Sequence, residues 1–402
     1  MMRPQEHQAP ARVKPLYYSL FCIFLNHVAY SGTRFAIALY ALKLHASPAV
    51  IGVLIALFSL VPMVGSVPVG RWIDRRGSRG LLITCSLLIL AGTSIAATFD
   101  NIYLLFPVSV LVGGGFYPSY IATQQLVGRY GKAEERAANF STLSTAVAIS
   151  GVTAPLVAGF GVEHLDFSWT FFTFALLPLT SLAIYLSGKV TELGPRADRP
   201  RTEATGGVRE LLGNGDVRRV FLMGIMVTTS WDTFLFITPI YCTQLLIPAS
   251  KIGIILAAYS TATLIIRIFA GRLSQIFTPW QLLIMSVACC GASNFAFGFA
   301  ATVPLLILFA FMMGLTQGVA GPMINTILYE SAPPGRVTEA MGLRVTITKS
   351  YQIGLPLLTG TLGTLMGVAP VFWLVSTALM GGSFAVRDKW RAPRLAEPSS
   401  GN

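Results

Sequence analysis

The chain is dominated by apolar runs of about 20 residues that are separated by short polar segments. The hydrocarbon core of a membrane, about 30 Å thick, requires a helix of roughly that length. A backbone in lipid must also satisfy its own hydrogen bonds, which leaves helices or closed barrels, and barrel strands are shorter and alternate in polarity. Only 11% of the residues are charged, too few to cover a soluble protein of this size. The pattern predicts an all-α membrane protein and excludes a soluble enzyme.

Twelve transmembrane helices are predicted, and the long polar segment after the sixth divides them into two groups of six. The spans cover residues 16–42, 48–70, 81–99, 102–128, 137–162, 167–187, 219–245, 251–271, 280–301, 304–329, 338–366 and 368–386. The predicted organisation is therefore a tail (1–15), a six-helix bundle (16–187), a linker (188–218), a second six-helix bundle (219–386) and a second tail (387–402).

The distribution of the 29 Lys and Arg residues predicts the orientation in the membrane. If both termini lie on one side, only Lys43 and Lys251 fall in loops on the opposite side. Basic residues collect on the cytoplasmic side, so both termini and the linker are predicted to be cytoplasmic, in a cell membrane and most simply the inner membrane of a bacterium. The net charge of +12 then follows from topology, and no nucleic-acid partner is needed to explain it.

The two halves of the chain align at a single offset of 201 residues. The offset pairs Tyr40 with Tyr241, Gly52 with Gly253, Gly113 with Gly314, Pro155 with Pro356 and Gly159 with Gly360. Two parallel repeats of six helices, related by an axis along the membrane normal, are a transporter architecture. The alignment therefore predicts two pseudo-symmetric bundles.

The loop between the second and third spans carries a recognisable motif. Residues 70–79 read Gly-Arg-Trp-Ile-Asp-Arg-Arg-Gly-Ser-Arg and match every specified position of the pattern G-x-x-x-D-R-x-G-x-R. The chain thereby resembles the major facilitator superfamily, which implies a twelve-helix fold and transport by alternating access. The resemblance also implies a cytoplasmic latch formed by Gly70, Asp74, Arg75, Gly77 and Arg79. The alternative is a basic loop that only sets topology.

A second motif lies in the fifth span, where Gly151, Pro155 and Gly159 follow one another at four-residue spacing. The segment resembles the glycine–proline motif of exporters in this superfamily, with Ala154 in place of a glycine. Gly and Pro favour close packing and bending of helices. The alternative is that these residues serve only the ordinary packing of small residues between helices. The arginine usual in the fourth span of proton-coupled exporters is absent, and this counts against simple proton–drug antiport.

The candidate coupling residue is Asp232, the one carboxylate deep in a predicted span. Ionisable residues inside a membrane are costly and usually functional. His27, Ser31 and Arg34 share one face of the first span, and the offset places Asp232 on Ser31. We therefore predict that His27, Arg34 and Asp232 line the cavity between the repeats, with Asp232 as proton carrier. The alternatives are a packing role for His27, an interfacial position for Arg34 and a structural ion pair for Asp232.

Further polar and aromatic side chains at matching depths extend this predicted pathway. They are Tyr117, Tyr120 and Gln124 in the fourth span, Gln317 and Asn325 in the tenth, and Lys349 in the eleventh. The offset pairs Gln124 with Asn325, so the two amides could bind a solute. Hydrogen bonding between helices is the alternative role for the amides.

These residues predict a secondary transporter of a small organic solute, working as a monomer in the lipid bilayer with protons as coupling ion. The excess of cations over carboxylates within spans favours an anionic, zwitterionic or amphiphilic solute. A multidrug exporter of lipophilic cations is the alternative within this class, and a membrane receptor that does not transport is the alternative outside it. The five cysteines lie within apolar runs, and we expect no disulfide, metal, cofactor or enzymatic activity.

Overall fold

The computed structural model describes residues 13–61, 68–69, 72–73, 77–130, 135–190, 208–333 and 336–391. These residues form helices joined by short loops, and no strand occurs among them. Their packing divides the chain into two compact units. The first contains residues 1–44 and 57–200, and the second contains residues 45–56 and 201–402.

The helices of the first repeat correspond to the first six predicted spans. They are α1 (Val13–Lys43), α2 (Pro48–Leu57), α3 (Arg79–Thr98), α4 (Ile102–Arg129), α5 (Arg136–His164) and α6 (Phe167–Leu186). The span predicted at 48–70 is seen as α2 in its first half, because residues 62–67 and 70–71 lie outside the described part.

The second repeat begins with a short helix, α7 (Val208–Gly213), which precedes the seventh predicted span. The six long helices are α8 (Gly215–Gln244), α9 (Ala249–Ile276), α10 (Pro279–Phe297), α11 (Val303–Ser331), α12 (Val337–Met366) and α13 (Ala369–Ala385). Apart from α2, the ends of the helices lie within about five residues of the predicted spans. The prediction of a twelve-helix membrane fold is confirmed.

Length and composition identify membrane-spanning helices directly. Among the described residues, eight helices are long and apolar enough to cross a membrane, and α2 and α13 are shorter apolar helices. Helices α1 and α12 have 31 and 30 residues, which is ample for a span, and both carry polar side chains of the candidate site described below.

The same packing plan is used within each unit. In the first unit α1 packs against α5 and α6, and α3 packs against α4 and α6. In the second unit α8 packs against α12 and α13, and α10 packs against α11 and α13. These pairs are equivalent under the 201-residue offset, so the repeat in the sequence is also a repeat in the packing.

Glycines set the closest helix contacts at equivalent places in the two units. A Cβ atom on Gly113 would lie 2.2 Å from the carbonyl oxygen of Phe58, and one on Gly314 would lie 2.1 Å from that of Tyr259. Phe58 and Tyr259 are themselves 201 residues apart. Close approach of this kind is what small residues allow between membrane helices.

Charged groups stabilise both ends of α6. The Asp166 carboxylate caps the first turn by accepting a hydrogen bond of 2.7 Å from Phe167 N–H. At the other end Arg79 donates from Nε and Nη2 to the carbonyl oxygens of Tyr185 and Leu186, each at 3.2 Å. An anion at the N-terminus and a cation at the C-terminus both favour the helix dipole, so these two residues fix the length of α6.

Candidate functional site

In the first unit, a hydrogen bond between His27 and Ser150 joins α1 to α5. His27 Nδ1 is in contact with Ser150 Oγ, and Ser150 Oγ also lies 2.7 Å from the carbonyl oxygen of Val147. His27 is half-buried as a residue, and Ser150 is fully buried. The structure therefore gives the predicted pathway histidine a polar partner within its own unit.

Aromatic rings surround this histidine. The ring centroid of Phe116 lies 5.0 Å from that of His27, and Tyr30 stacks on Phe116 at 4.4 Å. Tyr117 meets Phe116 edge-on at 5.4 Å, and Tyr120 stacks on it at 6.0 Å. We call these residues the aromatic cluster: His27, Tyr30, Phe116, Tyr117 and Tyr120. Tyr117 and Tyr120, predicted from the sequence, are half-buried at its margin.

In the second unit, Asp232 of α8 is bound by Gln352 of α12. Gln352 Nε2 donates to Asp232 Oδ2 at 3.1 Å, and Asp232 is only 7% exposed. A buried charge in a membrane helix is expensive unless polar groups solvate it. The sequence pattern predicts Asp232 but not Gln352, which lies 120 residues away. The 201-residue offset could not have found it, because Gln352 corresponds to Gly151.

The contact between His27 and Ser150 has its counterpart in the second unit at Thr228 and Tyr351, near Asp232. Helices α1 and α5 correspond to α8 and α12, and the offset places His27 on Thr228 and Ser150 on Tyr351. The Tyr351 side chain lies close to Thr228 and in the neighbourhood of Asp232 and Arg344. Each unit therefore has a polar contact between its first and fifth helices, but the chemistry differs. The first unit has an imidazole among aromatic rings, and the second has a carboxylate beside an amide.

Aromatic residues also line the second unit beside Asp232. Trp231 meets Tyr259 edge-on, with ring centroids 5.1 Å apart, and Phe234 stacks on Tyr259 at 4.5 Å. Trp231 is half-buried, whereas Phe234 and Tyr259 are fully buried. Of these rings, Trp231 retains exposed surface.

The two amides predicted in α11 differ in their surroundings. Gln317 is 8% exposed, and its Nε2 donates to the carbonyl oxygen of Val227 at 2.9 Å. This contact joins α11 to α8. Asn325 is half-buried, and its buried Oδ1 accepts no hydrogen bond within the part of the chain that the structure describes. Its counterpart Gln124 in α4 is also half-buried. Asn325 and Gln124 are thus the amides of this set that remain suited to a solute.

A buried polar network next to Gln317 was missed by the sequence analysis. Cys290 Sγ lies 3.2 Å from Ser230 Oγ, and Asn294 Nδ2 donates to Ser230 Oγ at 2.9 Å. The three residues are buried where α8 meets α10. Interhelical hydrogen bonds of this kind hold membrane helices together. All five cysteines are free thiols, and no group of side chains suited to a metal occurs among the described residues.

The basic residues that lie within or near the ends of the predicted spans fall into distinct environments. Arg34 is half-buried one turn beyond Ser31 on α1, and Arg344 is half-buried on α12. Arg267 is exposed on α9, consistent with a side chain that extends toward a membrane interface. Lys349 is within α12, but its side chain lies outside the described part of the structure. Arg34 and Arg344 are therefore the cations that the structure leaves as candidates for binding an anion.

The predicted latch is only partly described, because Gly70, Asp74 and Arg75 lie outside the described residues. Gly77 has φ of +78°, a left-handed conformation that glycine adopts without strain, as the motif requires. Arg79 binds the end of α6. In the motif of α5, Pro155 and Gly159 are buried and Gly151 is half-buried.

Comparisons with known proteins agree with this architecture. The family model described as Major Facilitator Superfamily matches residues 19–246 and 220–399. The uncharacterised MFS-type transporter YuxJ of Bacillus subtilis is 20% identical over 78% of this chain and 81% of its own length. The multidrug resistance protein MdtG of Klebsiella pneumoniae is 23% identical over 69% of this chain and 68% of its own length.

Solved structures show the same fold. A POT family transporter, crystallised in complex with a thioalcohol-conjugated peptide, superposes with a TM-score of 0.74 at 16% identity. The superposition covers 93% of this chain and 95% of the other. At that identity the similarity establishes the fold of the chain and leaves its solute open.

Proposed function

Because the chain belongs to the major facilitator superfamily, and is therefore a secondary membrane transporter in class, we propose that it moves a small amphiphilic organic solute by alternating access. We further propose that protons drive the transport and that the solute carries an anionic or zwitterionic group. The observation that carries the coupling part of the proposal is the buried Asp232 carboxylate, hydrogen-bonded to Gln352 inside the membrane-spanning part of the chain.

Gln352 suits a carboxylate that gains and loses a proton. An amide offers both a donor group and an acceptor oxygen, whereas an ionised carboxylate only accepts and a protonated one also donates. The pair can therefore stay hydrogen-bonded in both protonation states, with the amide rotated. Proton exchange at Asp232 would then change the hydrogen bond between α8 and α12 without leaving either group unsatisfied.

The cations support an anionic or zwitterionic solute. Arg34 and Arg344 lie within membrane helices and are half-buried, while Asp232 is the carboxylate that the sequence places deep in a span. Arginine binds carboxylates and phosphates through two parallel hydrogen bonds. Arg34 on α1 is one place where a solute anion could bind, and Arg344 near Tyr351 is a second place for such a group.

The second candidate function is export of several lipophilic cations. The similarity to a relative named multidrug resistance protein MdtG and the aromatic cluster of the first unit favour it. Aromatic faces attract cations, and Asp232 would then neutralise the bound charge. In this case Asp232 binds the solute directly and the arginines have structural or interfacial roles.

The experiment that separates these functions uses purified full-length protein. Thermal stabilisation is measured first with a panel of organic anions, zwitterions and lipophilic cations. Stabilising compounds are then tested for flux in proteoliposomes under imposed proton or sodium gradients. The proposal predicts stabilisation by anions or zwitterions and uptake that follows the proton gradient. Stabilisation by lipophilic cations alone supports the exporter, and the absence of gradient-dependent flux for every stabilising compound contradicts both.

A further inference from the structure

The arrangement of hydrogen bonds at Ser150 determines which nitrogen of His27 carries the proton. Ser150 Oγ contacts both His27 Nδ1 and the carbonyl oxygen of Val147. A carbonyl oxygen only accepts, and a serine hydroxyl has a single proton to donate. Both contacts are hydrogen bonds at the same time only if Ser150 donates to Val147 and His27 donates from Nδ1 to Ser150.

This tautomer leaves Nε2 of a neutral imidazole as an acceptor. Within the described ranges of the chain, no hydrogen bond to His27 Nε2 is formed. As a whole residue, His27 is half-buried and keeps part of its surface accessible. His27 therefore has one nitrogen committed to the structure of its unit and one nitrogen available to a ligand.

The position of His27 on α1 indicates that this ligand arrives from a polar pathway. Ser31 and Arg34 follow at four- and seven-residue spacing on the same face, and both are half-buried. A partly exposed stripe that contains an arginine and a histidine at mid-membrane depth is costly against lipid and is expected to face water or solute.

The neighbouring rings define the shape of the ligand. Phe116 is itself buried, but Tyr117 and Tyr120 on the same helix pack on Phe116 and keep part of their surface exposed. Aromatic faces beside a hydrogen-bond acceptor match a flat aromatic solute that carries an N–H or O–H group. The second unit has Thr228 at the position equivalent to His27, so it offers no second copy of this site.

We propose that His27 Nε2 accepts a hydrogen bond from an N–H or O–H donor of a flat aromatic solute whose ring packs on Tyr117 and Tyr120. The proposal rests on the proposed function, because it places the solute of the transporter at this face of α1. It adds that the first unit selects solutes by a donor group, independently of the charge that the second unit and the arginines recognise.

Four xanthene dyes separate donor recognition from charge recognition. Rhodamine 110 and its methyl ester, rhodamine 123, carry N–H groups, whereas tetramethylrhodamine and its methyl ester carry none. Within each pair the free acid is zwitterionic and the ester is cationic. Binding to the purified full-length chain is measured by fluorescence polarisation. The proposal predicts that each N–H dye binds roughly tenfold tighter than its tetramethyl counterpart, about the effect of one hydrogen bond in an enclosed site.

Two isosteric variants then locate the acceptor. The Gln side-chain amide reaches the position of Nε2, and the Asn amide reaches that of Nδ1. His27→Gln should therefore keep the preference for N–H dyes, whereas His27→Asn keeps the contact with Ser150 and should lose the preference. Thr153→Ala is the matched control for Ser150→Ala, because Thr153 is half-buried on the same helix and its hydroxyl donates to the Ile149 carbonyl oxygen of α5. The control should behave as wild type, while Ser150→Ala should weaken the preference because it releases the tautomer.

The outcomes distinguish this inference from the function on which it rests. If wild type binds the dyes with no preference for N–H groups, or if His27→Asn keeps the preference, the role of His27 is overturned and the transporter proposal stands. If wild type binds none of the four dyes, the proposed site at His27 is overturned, and so is the proposal that the solute is an aromatic amphiphile.

A spectroscopic measurement tests the tautomer without relying on dye binding. The chain has four histidines, so the ¹⁵N-histidine spectrum of wild type compared with that of His27→Asn identifies the signals of His27. The proposal predicts a neutral ring protonated at Nδ1, and a ring protonated at Nε2 overturns it.

Discussion

At the residue scale, the closest helix packing places one glycine of each repeat, Gly113 or Gly314, against a backbone carbonyl oxygen. Gly314 lies where a Cβ atom would be 2.1 Å from the carbonyl oxygen of Tyr259, and backbone cannot move aside as a flexible side chain can. Gly314→Ala should therefore destabilise the protein by about 1–3 kcal/mol, the usual cost of overpacking. The measurement is thermal unfolding of the purified variant in detergent.

The control for this prediction lies in the same helix. A Cβ atom on Gly321 would meet no atom within 4 Å in the described part of the chain, and alanine favours a helix over glycine. Gly321→Ala should leave the unfolding temperature unchanged or raise it slightly. Equal unfolding temperatures for Gly314→Ala and Gly321→Ala would show that α9 and α11 do not approach as closely as described.

Individual residues also show where prediction from sequence ends. The sequence identified Asp232 because a carboxylate in an apolar run is conspicuous, and it placed His27, Ser31 and Arg34 on one face because helical spacing is regular. It could not identify Gln352 or Ser150 as partners, since partners on other helices depend on helix rotation and register. The sequence also could not distinguish the roles of the two amides in α11. Gln317 donates a hydrogen bond to Val227, whereas the buried Oδ1 of Asn325 accepts no hydrogen bond within the described residues.

At the element scale, α6 is limited by one charged residue at each end. Asp166 has φ of +76°, an uncommon conformation for a residue with a side chain, and its carboxylate is held by Phe167 N–H and by Lys43 at 3.5 Å. These two contacts lower the pKa of the Asp166 carboxyl, the bond from Phe167 contributing most. Its charged form is therefore favoured in the folded protein.

Replacing Asp166 tests both parts of this cap. Asp166→Ala removes the capping oxygen and should cost about 1 kcal/mol of stability, whereas Asp166→Asn keeps a capping oxygen and removes only the charge. Because the pKa of Asp166 is lowered in the folded state, the contribution of the charge is present at neutral pH and is lost as the pH falls through that lowered value.

The measurement is the unfolding temperature of the three proteins between pH 7 and pH 3. Wild type should exceed Asp166→Asn at neutral pH, and the difference should shrink as the solution is acidified. A difference that stays constant over this range would mean that the charge of Asp166 does not stabilise α6. The sequence predicted the bounds of α6 closely, but it did not predict this cap, because an Asp with positive φ has no distinct sequence signal.

At the scale of the whole molecule, the repeat is the feature that the sequence predicted best. Identical residues spaced 201 positions apart predict the repeat, and the backbone conformations in the structure follow the same spacing. His45 and Leu246 both have φ of +58° and are 201 residues apart. The resemblance to the major facilitator superfamily is likewise confirmed by the family match. A single offset relates the two halves over most of their length because duplication of a segment preserves both its helix lengths and its loop geometry.

The repeat did not predict that part of α2 packs with the second unit. Residues 45–56 belong to that unit: a Cβ atom on Gly52 would lie 2.4 Å from the carbonyl oxygen of Pro356, and one on Gly360 would lie 2.6 Å from that of Pro48. Ala49 N–H also donates to Thr364 Oγ1 at 3.1 Å. This contact joins a segment of the first repeat to α12, so we expect it to open and close during an alternating-access cycle.

A disulfide across this contact tests that expectation. A Cβ atom on Gly363 would lie 3.5 Å from Cβ of Pro48, within the range that a disulfide spans. The double variant Pro48→Cys with Gly363→Cys, made in a background without the native cysteines, should lose transport on oxidation and regain it on reduction. Each single variant serves as control. Full transport with the disulfide completely formed, as measured by mass spectrometry, would show that this contact stays closed throughout the cycle.

Proton-coupled transport through Asp232 is tested by comparing net transport with solute exchange for Asp232→Asn in proteoliposomes. Glu330→Gln, which neutralises an exposed carboxylate at the end of α11, is the matched control. We expect Asp232→Asn to abolish accumulation driven by a pH gradient but still to exchange labelled for unlabelled solute, while Glu330→Gln behaves as wild type. Undiminished pH-driven accumulation by Asp232→Asn would show that the coupling ion binds elsewhere.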